Sequence, residues 1–290
     1  MFRTRTLVFA AVATTAAILL AACGSDHSEM PGMSSPTSAL HASGMPGMDM
    51  PTGNGLSATS AGFTFVPAAT TANAGAPVDF RFTITGPDGK PVTAFQPDQT
   101  QLMHFYLIRD DLSGFQHVHG TMAADGTWTA PLAALQPGSY RTYASFITTD
   151  AAGKAVPLVL SAPVTVAGDA TPVTLPEPAT TTEVEGYTVT LDTAQLMSGM
   201  SHPLTVTISR DGKPVTDLQP YLDTYAHLTA FRRDDLAFAH LHPGDAVNGD
   251  HGGPTLKFEA ELPQPGQWRL FLQFRTGGVL HTAAITVAAS

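Results

Sequence analysis

Apolar residues alternate with polar residues, or form short unbroken runs, at regular intervals from residue 62 onward. Alternate side chains of a strand lie on opposite faces, so each of these stretches predicts a short β-strand. In the first half of the chain the stretches are residues 62–66, 78–85, 102–109, 126–130, 139–147 and 156–166. Turn sequences such as Pro137-Gly138 separate them. The pattern predicts an all-β fold made of antiparallel β-sandwiches of the immunoglobulin-like type.

The second half of the chain repeats the first. The segment Phe115-Gln116-His117-Val118-His119 returns as Phe238-Ala239-His240-Leu241-His242, and His104 returns as His227, each histidine after 123 positions. We therefore predict two tandem sandwich domains, residues 56–168 and residues 186–290. The segment between them, residues 169–185, is rich in Thr, Pro and Glu and is expected to be an extended, moderately stiff linker.

The repeated histidines have the spacing of metal ligands. In a strand, residues i and i+2 point to the same face, so His117 with His119, and His240 with His242, present two imidazoles side by side. A neighbouring strand then brings His104 or His227 opposite the pair. Three neutral imidazoles with an open position suit Cu(II) or zinc, so we expect one site in each domain. His281, on the last strand, is expected to be a fourth ligand of the second site.

Other roles for the same residues remain open. The imidazoles could instead tie a loop, with Asp111 and Asp235 as partners. The acidic pairs that contain these two aspartates follow arginine in a predicted turn, which favours capping and salt bridging over acid–base catalysis. His202 is interpreted as a structural histidine.

The N-terminal segment has the pattern of an export signal. Two arginines precede an apolar run, and Leu20-Ala21-Ala22-Cys23 follows it. This motif resembles the lipobox of bacterial lipoproteins, in which the cysteine is acylated, for example with palmitate, and becomes the first residue. The resemblance implies a signal peptide at residues 1–22, a lipid anchor on Cys23 and a location on the extracytoplasmic face of the cell membrane. Cys23 is the one cysteine of the chain, so thiolate ligands and internal disulfides are excluded.

Residues 23–55 are predicted to be a flexible tail because they show neither alternation nor a helical period. The tail is unusually rich in histidine and methionine. These residues are His27, Met30, Met33, His41, Met45, Met48 and Met50. Thioether sulfur is a soft ligand that suits Cu(I), so we expect the tail to bind Cu(I). The string is similar to Met-rich segments of bacterial copper-handling proteins; a spacer with incidental methionine is the alternative.

Composition excludes several functions. The formal net charge is −10 and the pI is about 5.4, which argues against a nucleic-acid partner. No Ser-His-Asp arrangement, phosphate loop or cofactor fingerprint occurs, so no catalytic residue is assigned and an enzyme is not expected.

The block from His104 through Arg109-Asp110-Asp111-Leu112 to His117 and His119 resembles a motif of secreted bacterial lipoproteins associated with heavy-metal handling. The sandwiches are also similar to CopC-like and YtkA-like copper-binding β-domains. CopC-like proteins use a histidine at the free N-terminus, whereas here that position would be the acylated Cys23, so an internal histidine cluster must bind the metal.

Three functions compete on these grounds. The first is a membrane-anchored protein that buffers or delivers copper, or confers resistance to it, with zinc as the alternative metal. A further protein that receives the ion is possible and unidentified. The second is a structural or adhesive lipoprotein that binds no metal, and the third is a copper-dependent enzyme.

Overall fold

The computed structural model describes residues 54–290, which lie in one compact unit. The predicted signal peptide, Cys23 and the Met-rich and His-rich tail up to residue 53 lie outside the described residues. Residues 54–290 contain strands and connecting turns and no helix. Within that part of the chain, therefore, no helix has the length and apolar character needed to cross a membrane.

The first repeat forms two five-stranded sheets. Its strands are β1 (Thr59–Ser60), β2 (Phe63–Pro67), β3 (Thr71–Ala72), β4 (Val78–Thr85), β5 (His104–Arg109), β6 (Gln116–Val118), β7 (Thr121–Met122), β8 (Trp128–Leu132), β9 (Gly138–Thr149) and β10 (Ala155–Val166). One sheet has the order β1-β2-β4-β8-β7 and the other the order β3-β10-β9-β5-β6. The six strands predicted in this half are all present, with ends shifted by at most two residues.

The second repeat has the same strand plan. Its strands are β11 (Thr181–Val184), β12 (Tyr187–Leu191), β13 (Gln195–Leu196), β14 (Ser201–Arg210), β15 (Lys213–Pro214), β16 (Ala226–Arg232), β17 (Phe238–Pro243), β18 (Thr255–Glu261), β19 (Gly266–Thr276) and β20 (Val279–Ala289). They run in the order β11-β12-β14-β18-β17-β16-β19-β20-β13, with β15 beside β14. The immunoglobulin-like sandwich pair predicted from the alternation is thus confirmed.

The segment predicted to be a linker is partly structured. Strand β11 lies inside it and pairs with β12, so the second sandwich begins at Thr181. The preceding residues are held against both repeats. Val173 N donates to Asp111 Oδ2, and Ala179 N donates to Thr286 O.

The strand that carries the His-x-His motif passes from one sheet of each sandwich to the other. In the second repeat, β17 pairs first with β16 and then, at His242 and Pro243, with β18. In the first repeat the same path is divided into β6, which pairs with β5, and β7, which pairs with β8. A strand that changes sheets forms a corner of a sandwich. The first histidine of each motif therefore lies within a sheet and the second lies at the corner.

Each sandwich has an apolar core between its sheets, and a third apolar cluster joins the two sandwiches. This interface cluster comprises Tyr106, Ile108, Leu112, Tyr143, Val159, Phe231, Leu236, Phe238 and Phe271. It contains side chains from the outer faces of β5, β9 and β10 and of β16, β17 and β19. Every residue of β5 is consequently buried, and β16 is buried except at its last residue. Burial on both faces explains why these two strands carry nearly unbroken apolar runs.

The candidate metal centre between the two repeats

Six histidines meet where the two sandwiches pack together. The first repeat contributes His104 from β5, His117 from β6 and His119 just after it, and the second contributes His227 from β16 and His240 and His242 from β17. The predicted pairing of the histidine-bearing strands is confirmed, because β5 pairs with β6 and β16 with β17.

The sequence does not decide whether the sites of the two domains are separate or bridged, and the structure places the two sets of histidines together. The ring centroids of His117 and His227, from different repeats, lie 4.8 Å apart, and those of His104 and His227 lie 5.7 Å apart. The two sets of histidines form one cluster because the faces of β5 and β16 that point away from their own cores pack against each other. Alternation along one strand shows that a second face exists, but it does not show what covers that face.

His104, His117 and His227 form the inner triad of the cluster. One ligand nitrogen from each lies within 4.8 Å of the others. The three residues are 1%, 8% and 1% exposed. His104 Nδ1 and His117 Nε2 are 3.0 Å apart. Two nitrogens bound to one tetrahedral ion at 2.0–2.1 Å lie about 3.3 Å apart, so this spacing fits shared coordination with little movement.

In each ring of the inner triad, one nitrogen faces another residue of the cluster (the inner nitrogen), and the other nitrogen (the outer nitrogen) lies close to an oxygen atom. His104 Nε2 lies 3.0 Å from the backbone oxygen of Asp98, His117 Nδ1 lies 2.6 Å from Gln273 Oε1, and His227 Nδ1 lies 2.9 Å from Gln99 Oε1. These oxygens accept hydrogen bonds, so the tautomers assigned from the network place the N–H of each ring on the outer nitrogen. Gln273 Nε2 in turn faces Thr282 Oγ1 at 3.5 Å, which agrees with that amide orientation.

The inner nitrogens of the triad therefore carry lone pairs. His104 Nδ1 and His117 Nε2 present theirs to each other, an arrangement that a cation between them stabilises. A histidine that donates its outer N–H to a carbonyl while its inner nitrogen binds an ion is the usual arrangement around a protein-bound metal. The outer hydrogen bonds fix the orientation of the three rings.

Tyr106 contacts the triad from β5. Its hydroxyl lies 3.1 Å from His227 Nε2, and its ring stacks on His117 with centroids 4.2 Å apart. Because His227 Nδ1 donates to Gln99, Nε2 is the acceptor and the tyrosine hydroxyl is the donor. Sequence reasoning missed Tyr106, Gln99 and Gln273. Tyr106 could have been found from alternation with His104, whereas the glutamines have no comparable signal.

The other three histidines extend the cluster on both sides. The His119 ring lies 5.0 Å from His104 and 4.8 Å from His117, while the His240 ring lies 4.7 Å from His227 and 5.1 Å from His242. His240 is buried, and His119 and His242 are half-buried. Among the described residues, neither His119 Nε2 nor His240 Nε2 has a hydrogen-bond partner.

Burial keeps the cluster neutral at physiological pH. It lowers the pKa of His104 and lowers the pKa values of His117, His227 and His240 well below the ordinary value, and repulsion between neighbouring imidazoles lowers the latter three further. Burial, with a smaller effect of His104, lowers the pKa of His119 to about 4. Metal binding requires neutral imidazole, so these residues are ready to coordinate an ion without first losing protons.

His281 does not join the cluster. Its Nδ1 lies 2.5 Å from Glu185 Oε2 and its Nε2 lies 3.0 Å from Thr276 Oγ1, and its ring contacts Tyr187 and Phe274. The expectation that it completes a site with His240 and His242 is not supported by this placement. The cause is its register, because His281 pairs across from Phe274 rather than from Gln273, the residue that faces the triad.

Asp111 and Asp235 form ion pairs with arginine in the turns and are not partners of the imidazoles. Asp235 accepts two hydrogen bonds from Arg232, at 2.8 and 2.7 Å. Asp111 lies 3.6 Å from Arg109 and accepts hydrogen bonds from Ser113. The capping and salt-bridging role predicted for them is confirmed. Neither aspartate is the partner of an imidazole, whereas His104 and His227 contact Asp98 and Gln99 in the loop that precedes β5.

The structure thus defines a class of protein, a tandem immunoglobulin-like β-sandwich whose repeats share a buried histidine cluster. The chain belongs to the family described as "Domain of unknown function (DUF8832)", which matches it twice, over residues 58–163 and 182–290. The double match agrees with the duplication found in the sequence. A comparison with curated proteins gave no match.

Solved structures with partial similarity come from several organisms. The adhesin InvE of Yersinia pseudotuberculosis is 16% identical, with 78% of this chain and 58% of that chain covered and a TM-score of 0.24. The adhesin FdeC of Escherichia coli is 16% identical, with 80% and 65% covered and a TM-score of 0.25. The fibronectin(III)-like modules of Clostridium thermocellum CbhA are 12% identical, with 78% and 93% covered and a TM-score of 0.21. The chain spans less than two thirds of the length of either adhesin.

Proposed function

We propose that this protein is a non-enzymatic metal-binding lipoprotein that holds a copper ion in the inner triad, His104, His117 and His227. The observation that supports the proposal is the arrangement of the three buried rings. Each donates its outer N–H to an oxygen and turns a lone pair inward, and two of the inner nitrogens are 3.0 Å apart. The ligand nitrogens of all three residues lie within 4.8 Å of one another.

The charge of the site favours Cu(I). All three ligands are neutral, so the full charge of the ion is buried. The cost of burying an ion rises with the square of its charge and is about fourfold larger for a divalent ion. Imidazole binds both copper and zinc, so the low charge of Cu(I) distinguishes them here. This differs from the division expected from the sequence, which gave Cu(II) to the sandwiches and Cu(I) to the tail.

The remaining parts of the proposal rest on the sequence. Acylation of Cys23 would anchor the protein on the extracytoplasmic face of the membrane, and the Met-rich tail would collect Cu(I) for the sandwiches. Such a protein would buffer copper or deliver it to a partner protein. The histidines would bind the ion and hold it, without acting as acids or bases toward a substrate.

A structural or adhesive lipoprotein without metal is the second candidate. The observation that favours it is the location of the cluster, which continues the apolar interface between the two sandwiches. On this view the histidines, Tyr106 and the two glutamines form a polar network that fixes the relative position of the repeats. Buried networks of satisfied hydrogen bonds have this effect in other proteins.

Metal titration of the full chain separates the candidates. We expect Cu(I), supplied in competition with a chromophoric chelator, to bind the parent tightly and to bind at least about 100-fold more weakly when His104, His117 and His227 are replaced by glutamine. His251→Gln is the matched control, because His251 is exposed and outside the cluster. Zn(II) is titrated in parallel as the competing ion.

The fold of each variant is checked with the fluorescence of Trp128 and Trp268, one buried tryptophan in each repeat. Copper binding at the sandwiches is separated from binding at the tail by repeating both titrations in a background in which Met30, Met33, Met45, Met48 and Met50 are replaced by leucine. Cu(I) affinity that is the same in the parent and in a folded triad variant would contradict the proposal and favour the structural candidate.

A further inference from the structure

His240 carries an unexplained buried nitrogen. The residue is 5% exposed, and its Nε2 has no hydrogen-bond partner among residues 54–290. Leaving a buried nitrogen without a partner is unfavourable, and such a group in a native structure calls for an explanation. The inner triad does not use this atom, so a function for it must lie elsewhere in the cluster.

The duplication shows why this nitrogen is free. His240 is the counterpart of His117, whose Nε2 lies 3.0 Å from Nδ1 of His104. The counterpart of His104 in the second repeat is His227, but its Nδ1 lies beside Gln99 Oε1 instead. The symmetric pair is therefore broken in the second repeat. His240 Nε2 has lost the neighbour that its counterpart has.

The surroundings of His240 match those of the triad. Its ring centroid lies 4.7 Å from His227 and 5.1 Å from His242. The corresponding distances within the triad are 5.2 Å for His104 and His117 and 4.8 Å for His117 and His227. His227 is thus a neighbour of both groups. An ion bound between His240 and His242 would have His227 as the next available ligand.

Acidic groups lie close to this side of the cluster. His242 lies at the sandwich corner, half-buried, directly across from Glu259 in the β17–β18 register. Although burial lowers the pKa of His242 overall, the charges of Asp98 and Glu261 oppose this effect. The same negative charges attract a cation from solution.

We propose that His240 and His242 form a second metal station, which takes up an ion from solvent and passes it through His227 to the inner triad. The inference rests on the proposed function and extends it from one ion to two. The transfer is an exchange of ligands at constant oxidation state. The ion gives up water for His242 and His240, then binds His227 as it leaves His242.

Stoichiometry tests the second station on the full chain. We expect competition titration with Cu(I) to give two ions bound to the cluster of the parent, measured in the background that lacks the tail methionines. His240→Leu and His242→Leu are expected to bind one ion, and His251→Leu is expected to bind two. The tryptophan fluorescence of each variant must match that of the parent.

Loading kinetics test the order of the two stations. Stopped-flow mixing with Cu(I) should show that His242→Leu fills the triad at least about 10-fold more slowly than the parent, with the final affinity of the triad unchanged. A parent that binds one ion, or a His242→Leu variant that binds two at the parent rate, would overturn the second station while leaving the triad intact. A parent that binds no ion would instead overturn the proposed function.

Discussion

Acid should destabilise the metal-free protein strongly, because four histidines are buried in neutral form. His104, His117, His227 and His240 all have a lowered pKa, and desolvation is the largest cause for each. In the unfolded chain a histidine takes up a proton near pH 6.5, whereas in the folded protein these four do not. The unfolded state therefore gains protons first as the pH falls, so stability is lost below about pH 6.5.

The size of the effect follows from the number of residues. At pH 5.5, one unit below the unfolded pKa, each histidine that stays neutral in the folded state costs about 1.4 kcal/mol of stability. Four give up to about 5 kcal/mol between pH 7.5 and pH 5.5, comparable to the whole stability of many domains. His119, whose pKa is lowered to about 4, adds to the loss. Carboxylates add little in this window, since Asp111 and Asp235, whose pKa values are lowered in the fold, bind protons in the unfolded chain near pH 3.8.

Urea denaturation of the chelator-treated chain at the two pH values measures the loss. Trp128 and Trp268, one buried in each repeat, report the unfolding. Replacement of both His104 and His227 by glutamine should remove about half of the pH-dependent loss, whereas replacement of the exposed His251 should leave it unchanged. A loss below about 1 kcal/mol in the parent, or an equal loss in the double variant, would refute the reasoning.

Three further outcomes are expected. Tyr106→Phe removes the hydroxyl that competes with the ion for His227 Nε2. Because the lost hydrogen bond is worth about 1 kcal/mol, the affinity for Cu(I) should rise by about 3-fold to 10-fold. A weaker affinity would mean that the hydroxyl is itself a ligand. Gly55→Ala should be more destabilising than Gly75→Ala by at least about 1 kcal/mol in urea denaturation. Both residues have positive φ, but a Cβ at Gly55 would lie 3.0–3.1 Å from three side chains of the interface, whereas a Cβ at Gly75 would have nothing within 4 Å. Equal losses of stability would show that the interface adjusts to the added methyl group. Copper at 100 times its Kd should raise the free energy of unfolding by about 2.7 kcal/mol, and removal by chelator should reverse the gain; an unchanged midpoint would exclude binding to the native state.

The contact at Gly55 also affects where a truncated chain can begin. Asn54 O accepts a hydrogen bond from Phe238 N, so the residues just before the first sandwich are part of the interface between the repeats. The sequence places the start of the first domain at residue 56, which omits this contact. A shortened protein should therefore retain Asn54 and Gly55.

Local sequence determined the strands and the ligand types. Alternation of apolar and polar residues fixes which side chains share a face, and this depends only on the geometry of one strand. Val118 and Leu241 accordingly pack on the two cores, and the flanking histidines face away from them. The repeat of the spacing was visible without any structure, because both halves retain the same residues at the same separation.

Only the tertiary structure decided what covers the second face. Whether the two sets of histidines stay apart or combine depends on how the sandwiches dock, and the apolar side chains responsible, such as Tyr143 and Phe231, look like ordinary core residues in the sequence. The same holds for Gln99 and Gln273, each of which is more than a hundred residues from the histidine that it contacts. A partner more than a hundred residues away along the chain orients an imidazole only once the two sandwiches have packed together. The local sequence pattern therefore predicts which residues are candidate ligands, but it does not predict that they assemble into one centre.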